Sequence, residues 1–263
     1  MSAPSQARVA FEPSWTRRIG LAVLFAYVIY ALGSLDVNLA RILRGLDQGS
    51  IFLGRLWPPN AAPDRLSLIG EGLIESMQIA VLSTALGILL SLPVGMIAAR
   101  NISPAWLSWT GRIIIALCRS FHPMIIAILF VKAVGFGALA GVLALVVASI
   151  GFIGKLFCEA IEEMNMKQVE AVRATGAPWV NVIIMGVLPQ VMARFIGFSA
   201  YQLDSNLRNS TMVGIVGGGG IGAALFTAYQ RFDYDVVMTI LLAIIAIILV
   251  SELLSGWLRR LFQ

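Results

Sequence analysis

Chemistry-bearing side chains are scarce in this chain. Its 263 residues hold one histidine, His122, and two cysteines, Cys118 and Cys158. The thiols lie far apart with no C-x-x-C spacing, so neither a metal cluster nor a disulfide framework is indicated, and both are read as buried thiols. A single histidine beside a proline is first of all a packing or capping residue, and without metal ligands it builds no enzyme site. No G-x-x-x-x-G-K-[ST] string occurs, so the chain binds no ATP through a P-loop. Charge is also sparse. Only 13% of residues are charged against 59% hydrophobic, and the mean hydropathy is +0.87. Such a chain cannot cover a soluble globule with polar groups, and the lipid bilayer is its solvent. The net charge of +5 does not point to nucleic acid, because the basic residues punctuate apolar runs instead of forming a patch.

What is present is a series of long apolar runs. Crossing about 30 Å of hydrocarbon as a helix takes roughly 20 mainly apolar residues, since every backbone polar group must be satisfied within the segment. Residues 19–35, 73–99, 105–134, 139–157, 180–203 and 236–257 meet that requirement. Interruptions fall at Pro93, at His122-Pro123, and at Pro189 and Arg194. The fold class is therefore all-α integral membrane with about six transmembrane helices. Residues 1–18, ending in Arg17 and Arg18, read as a cytoplasmic N-terminal segment before a first span at 19–35, with a cleaved signal peptide as the alternative. Residues 36–68 read as a polar, turn-rich external loop carrying Trp57-Pro58-Pro59-Asn60. Residues 69–263 form the main transmembrane domain. Within it, 159–178 is charged and cannot span cheaply, so it lies outside the bilayer on the side of both termini. Arg100, Lys155, Lys167, Arg173, Arg259 and Arg260 agree with that side, while Arg41, Arg44, Arg55 and Arg65 fall in the external loop against the rule.

Two sets of motifs give the runs a context. Glu170-Ala171-Val172-Arg173-Ala174-Thr175-Gly176, with Leu188-Pro189 further on, resembles the EAA loop of ABC importer permeases. Independently of that likeness, a short helix ended by a glycine able to take a left-handed turn offers a compact knob to a partner. The resemblance implies a cytoplasmic coupling helix that docks on an ATP-binding cassette subunit, with Glu170, Ala171, Arg173 and Gly176 as coupling residues. It further implies that this chain holds no cofactor and does no covalent chemistry, ATP and Mg being bound by the partner subunit. Val172 and Gly186 depart from the family pattern.

From about Leu73 onward the strings Ala98-Ala99-Arg100-Asn101, Phe130-Val131-Lys132-Ala133-Val134-Gly135, Ala140-Gly141-Val142-Leu143-Ala144-Leu145, Gly154-Lys155-Leu156, Gly186-Val187-Leu188-Pro189-Gln190-Val191 and Gly217-Gly218-Gly219-Gly220-Ile221-Gly222 are similar to the phosphonate permease branch. The glycine string also looks like that of methionine permeases, and His122 stands where the phosphonate branch often carries a glutamate. This likeness implies a type I importer core in a multi-pass bacterial inner-membrane protein. It also implies a second permease copy, most simply a homodimer, and a periplasmic substrate-binding protein. The solute it implies is a phosphonate-like oxyanion, with phosphite or methionine as alternatives, and a secondary transporter is the rival from another class.

Candidate pathway residues follow from polar groups set among apolar runs. Asp204, Asn206, Arg208, Ser210 and Thr211 concentrate donors in one segment, and Arg208 offers an oxyanion its planar fork. The alternative is a structural pair, since Asp204 and Arg208 are four apart on a helix. Arg119 and His122 join this group because charge at membrane depth usually faces a water-filled path or a partner. Arg194 is either such a charge or one that snorkels to the interface. Gly217, Gly218, Gly219, Gly220 and Gly222 also match G-x-G-x-x-G, but without a preceding strand they read as close packing of a broken segment near a gate.

Overall fold

A computed structural model describes the backbone of residues 15–35, 38–60 and 62–262, with side chains of the last helix as far as Leu253. Residues 1–14 of the expected N-terminal segment, Asp36 and the Arg259 and Arg260 side chains lie outside the described residues. All regular elements among the described residues are helical. The chain divides into two compact units, Met1–Arg55 and Leu56–Gln263.

In the first unit α1 covers Trp15–Ser34 and is long and apolar enough to cross a membrane. Leu39–Leu56 then forms a helix, α2, in the stretch expected to be turn-rich. The reason is visible in its spacing. Leu39, Ile42, Leu43, Leu46 and Leu53 recur at helical intervals with Arg41, Arg44, Gln48 and Arg55 on other faces. Gly45, Gly49 and Gly54 look like turn signals in the string, yet they only weaken a helix.

The second unit begins with α3, Pro63–Ala98, whose first turn carries Pro63 where a missing N–H is harmless. It continues with α4 (Ala105–Ser120), α5 (Pro123–Val134), α6 (Ala138–Glu162), α7 (Met166–Ala174) and α8 (Trp179–Val182). A π-turn over Ile183–Val187 leads into α9 (Leu188–Ile215), followed by α10 (Ile221–Gln230) and α11 (Tyr234–Phe262). Across both units, 5 helices among the described residues can cross a membrane, or up to 6 when α4 and α5, bent by 89°, count as one broken span. The break is at His122-Pro123, where Pro123 opens a new helix and the His122 Nδ1 accepts from Met124 N at 3.3 Å. Pro189 acts differently. It has no N–H for the carbonyl one turn back, and the chain widens into the π-turn, Leu188 N bonding Ile183 O, without ending the span.

Helix α6 is the axis of the second unit and α3 packs along it. Lipid supplies no hydrophobic drive between helices, so close contact of small residues has to do that work. A Cβ on Gly87 would stand 2.4 Å from the Ser149 Cβ, and one on Gly95 would stand 2.8 Å from the Phe157 ring. At one end Phe157, Ile161, Val169, Val187 and Val191 form an apolar cluster under α7. At the other, Ile69, Ile221, Val236 and Ile240 join the start of α3 to α10 and α11.

Candidate functional site

The charged loop folds as a short helix with one face in and one face out. Asn165 caps α7, its Oδ1 accepting from Lys167 N at 3.1 Å. Val169 is fully buried against Val182, Ile183 and Val187, while Glu170, Ala171, Arg173 and Ala174 are exposed. Gly186 makes this seat possible, since a Cβ there would come within 3.3 Å of the Val169 backbone. The helix ends as the sequence predicts, with Gly176 at φ +78° and its N–H donating to Arg173 O at 3.0 Å. Only glycine takes that conformation without strain. Glu170, Ala171, Arg173 and Gly176 are therefore all brought to one accessible knob.

Two polar clasps fix the knob to the bundle. The Gln190 Oε1 accepts from Asn165 N at 3.1 Å, and its Nε2 donates to Gly186 O at 2.6 Å. Glu162, at the end of α6, accepts from Arg112 Nη2 at 2.6 Å and from Arg100 N at 2.8 Å, while Asn101 Nδ2 donates to Ile161 O at 2.7 Å. Arg112 also donates from Nε to Ala98 O at 3.2 Å. The C-terminal ends of α3 and α6 thus meet Arg112 of α4 in one bonded cluster beside α7.

The segment 204–211 is not a break but part of α9. Asn206 is fully buried, its Nδ2 donating to Thr84 Oγ1 and to Ser149 Oγ, each at 2.9 Å, and its Oδ1 accepting from Gln202 Nε2 at 3.0 Å. Ser210 is equally buried and donates to Leu207 O at 2.7 Å. Arg208 pairs with Asp204 one turn before it. Thr211 presents its carbonyl to Gly222, where a Cβ would collide at 1.9 Å. Arg194 pairs with Glu163 at 2.7 Å beside the charged loop, and Arg119 and His122 flank the α4–α5 break. The candidate pathway residues therefore lie in different settings, Asn206 and Ser210 in the buried interior, Asp204 and Arg208 in an ion pair, and Arg119 and His122 at the α4–α5 break.

The glycine string is a turn between α9 and α10, with Gly217, Gly219 and Gly220 at positive φ. Gly217 O accepts from Gly137 N at 2.9 Å, and Ser76 Oγ accepts from Ile221 N at 2.9 Å, tying the turn to α3 and to the start of α6. A Cβ on Gly141 would stand 2.3 Å from Gly218 O, so the close packing is with the chain's own helices.

Residues 91–263 match the family of binding-protein-dependent transport system inner membrane components. The chain belongs to that family. This permease is 38% identical over 258 residues to the phosphite transport system permease protein PtxC of Stutzerimonas stutzeri, covering 96% of this chain and 92% of that one. It is 38% identical over 261 residues to the phosphate-import permease protein PhnE of Mycolicibacterium smegmatis, with 96% of this chain covered. It spans only 49% of that longer relative. Among solved structures, a chain of the MetNI methionine ABC transporter in an inward-facing conformation superposes with a TM-score of 0.68 at 23% identity, over 77% of this chain and 99% of that one. That likeness shows the type I importer permease fold. The permease is a multi-pass inner-membrane transport protein, and its relatives are transport permeases and not enzymes.

Sequence reasoning missed the partners that hold the permease's site residues in place. Gln190 follows Leu188-Pro189 in the sequence with no signal that it tethers the loop. Thr84, Ser149 and Gln202 are single polar residues in apolar runs, and the usable sign would have been that bilayer-embedded amides and hydroxyls need one another.

Proposed function

We propose that this permease forms, with a second copy of itself, the membrane pathway of an ATP-driven importer for small phosphorus oxyanions such as phosphonate or phosphite. The observation that carries the reading is the accessible α7 knob on a chain that matches a phosphite permease over 92% of that relative's length and a phosphate-import permease over 49% of its length. A separate ATP-binding cassette subunit, holding ATP and Mg, docks on Glu170, Ala171, Arg173 and Gly176, and an external binding protein delivers the solute. The turn at Gly217–Gly222 serves as the gate at the opposite end. Closure of the ATPases pushes α7, and the Glu162–Arg112 and Gln190 clasps pass the movement to α3, α4, α6 and α9. Matches to D-methionine permeases are weaker, at 26% identity over 47% of the chain for that of Vibrio cholerae, which favours the phosphorus solutes.

Reconstitution tests this directly. Proteoliposomes holding the permease, its ATP-binding subunit and its binding protein should accumulate phosphite or methylphosphonate only with ATP inside the coupling compartment, and should not accumulate methionine. Uptake by the permease alone, driven by an ion gradient, would overturn the importer assignment. ATP-driven uptake of methionine in place of the oxyanions would overturn the solute.

A further inference from the structure

Four arginines lie in α4 and α9, and three of them have a carboxylate. Arg112 pairs with Glu162, Arg194 with Glu163 and Arg208 with Asp204. Arg119 has neither an ion pair nor a hydrogen bond among the described residues. It sits in the last turn of α4, just before the break, and lines a cleft of about 360 Å³ with Arg112, Ile115, Ala116, Lys155 and Cys158. Its stem lies flat on α6, because a Cβ on Gly151 would meet the Arg119 Cγ at 2.8 Å. Gly151 is about 16 Å along the α6 axis from Glu162, deep within a hydrocarbon layer of about 30 Å.

Charge at that depth is unfavourable unless matched. The cleft and its rim hold three cations, Arg112, Arg119 and Lys155, against two carboxylates, Glu162 and Glu159, the latter 2.7 Å from Lys155. One positive charge is left over, on a guanidinium whose fork suits two oxygens of a tetrahedral anion. We propose that this cleft between α4 and α6 is the membrane subsite for the oxyanion, held by Arg119 with Lys155 as the second charge. The assignment rests on the solute class proposed above. It moves the binding role away from Arg208, whose Nη2 is already paired with Asp204. Lys155 exchanges Glu159 for the solute as it enters and takes Glu159 back as it leaves, so the solute is held without being trapped.

The bland account of Arg119 is a cation completing the C-terminal end of α4, where any positive charge complements the helix dipole. Lysine would satisfy that role and lose the fork. In the reconstituted complex, phosphite uptake should fall at least tenfold for Arg119→Gln and several-fold for Arg119→Lys, with ATP-subunit assembly and basal ATP hydrolysis retained. Full rescue by lysine, or wild-type uptake by Arg119→Gln, overturns the subsite and leaves the importer reading standing. If the wild-type complex imports no phosphorus oxyanion, the solute class and the subsite fall together. Binding can be read without transport. In a complex carrying Cys118→Ser and Cys158→Ser, the Ala116→Cys variant should react with a charged methanethiosulfonate at least threefold more slowly in millimolar phosphite, and this protection should vanish when Arg119→Gln is added. Labelling that phosphite does not change, as when a lipid phosphate fills the cleft, overturns the proposal.

Discussion

Two polar stretches interrupt the apolar runs, and the bundle treats them in opposite ways. Of the stretch expected outside the bilayer, 159–162 remain the last turn of α6 and 163–178 leave the helix bundle as a knob exposed on one face, whereas residues 204–211 stay inside α9. Number of polar groups does not separate them. Kind does. The first is rich in full charges, and its Lys155–Glu159 and Arg194–Glu163 pairs are half-exposed on the rim. The second is mainly amides and hydroxyls, which a helix can carry at membrane depth when neighbouring helices answer them. Asn206 is answered by Thr84 and Ser149, and Ser210 by its own backbone. Its one arginine, Arg208, is carried with a carboxylate one turn away.

The most severe way to break the contrast is to remove the answer. Asn206→Leu removes the bonds to Thr84 and Ser149 and the one from Gln202, leaving only the Gln202 Nε2–Ser149 Oγ bond of 2.9 Å in the buried network, at a cost of about 1–3 kcal/mol. Thermal unfolding of the detergent-solubilised permease should show it as a lower midpoint. An unchanged midpoint would mean the buried network does not hold α3, α6 and α9 together. On the exposed side, Gly176→Leu has open space around it, so its whole penalty is backbone strain at a positive φ, roughly 1 kcal/mol. Functionally it should matter more than that figure suggests, because the knob changes shape where the ATPase docks. Binding-protein-stimulated ATP hydrolysis should drop while the midpoint barely moves. Coupling at the wild-type level would remove α7 from the energy path.

A smaller effect tests how the exposed stretch is anchored. Gln190→Ala removes the bonds to Asn165 and Gly186, each contributing about 0.5–1.5 kcal/mol, and should loosen α7 without unfolding the spans. Hydrogen exchange in 165–176 should rise while exchange in α3 and α6 stays slow. Equal change in both would show that the knob and the bundle open as one unit.

The fold was legible wherever length and apolarity decide. The spans at 139–157 and 236–257 sit inside α6 and α11, that at 73–99 overruns α3 by one residue, and the His122-Pro123 interruption is the 89° bend. Legibility failed where two local signals conflict. Three glycines hid the helical spacing of α2, and the polar residues of 204–211 hid the continuity of α9. For the site, Glu170 to Gly176 could be placed because exposure follows from charge, and Gly176 because a left-handed turn follows from its position. Arg208 could be placed only as one of two alternatives, fork or pair, since a sequence shows that Asp204 is four residues away and not whether it turns toward the arginine. The Arg119 cleft was out of reach, because Gly151 and Lys155 come to it from a different helix.

The smallest expected effect belongs to the Arg194–Glu163 pair, and it is the sharpest test of the contrast. Its distance of 2.7 Å would suggest a strong bond, but the side chains are 56% and 66% exposed. Water and salt screen such a pair, and ordering two long side chains offsets most of the attraction, so exposed pairs contribute about 0–1 kcal/mol. A double-mutant cycle with Arg194→Gln and Glu163→Gln should give a coupling near the bottom of that range, falling further as ionic strength rises. Uptake should hardly change, since neither residue lies in the Arg119 cleft or on the exposed face of α7. A salt-insensitive coupling above about 1.5 kcal/mol would mean that the pair is dry in the assembled transporter. The rim of the charged stretch would then be as much a buried network as Asn206 is, and the division between the two stretches would have to be drawn at assembly and not within the single chain.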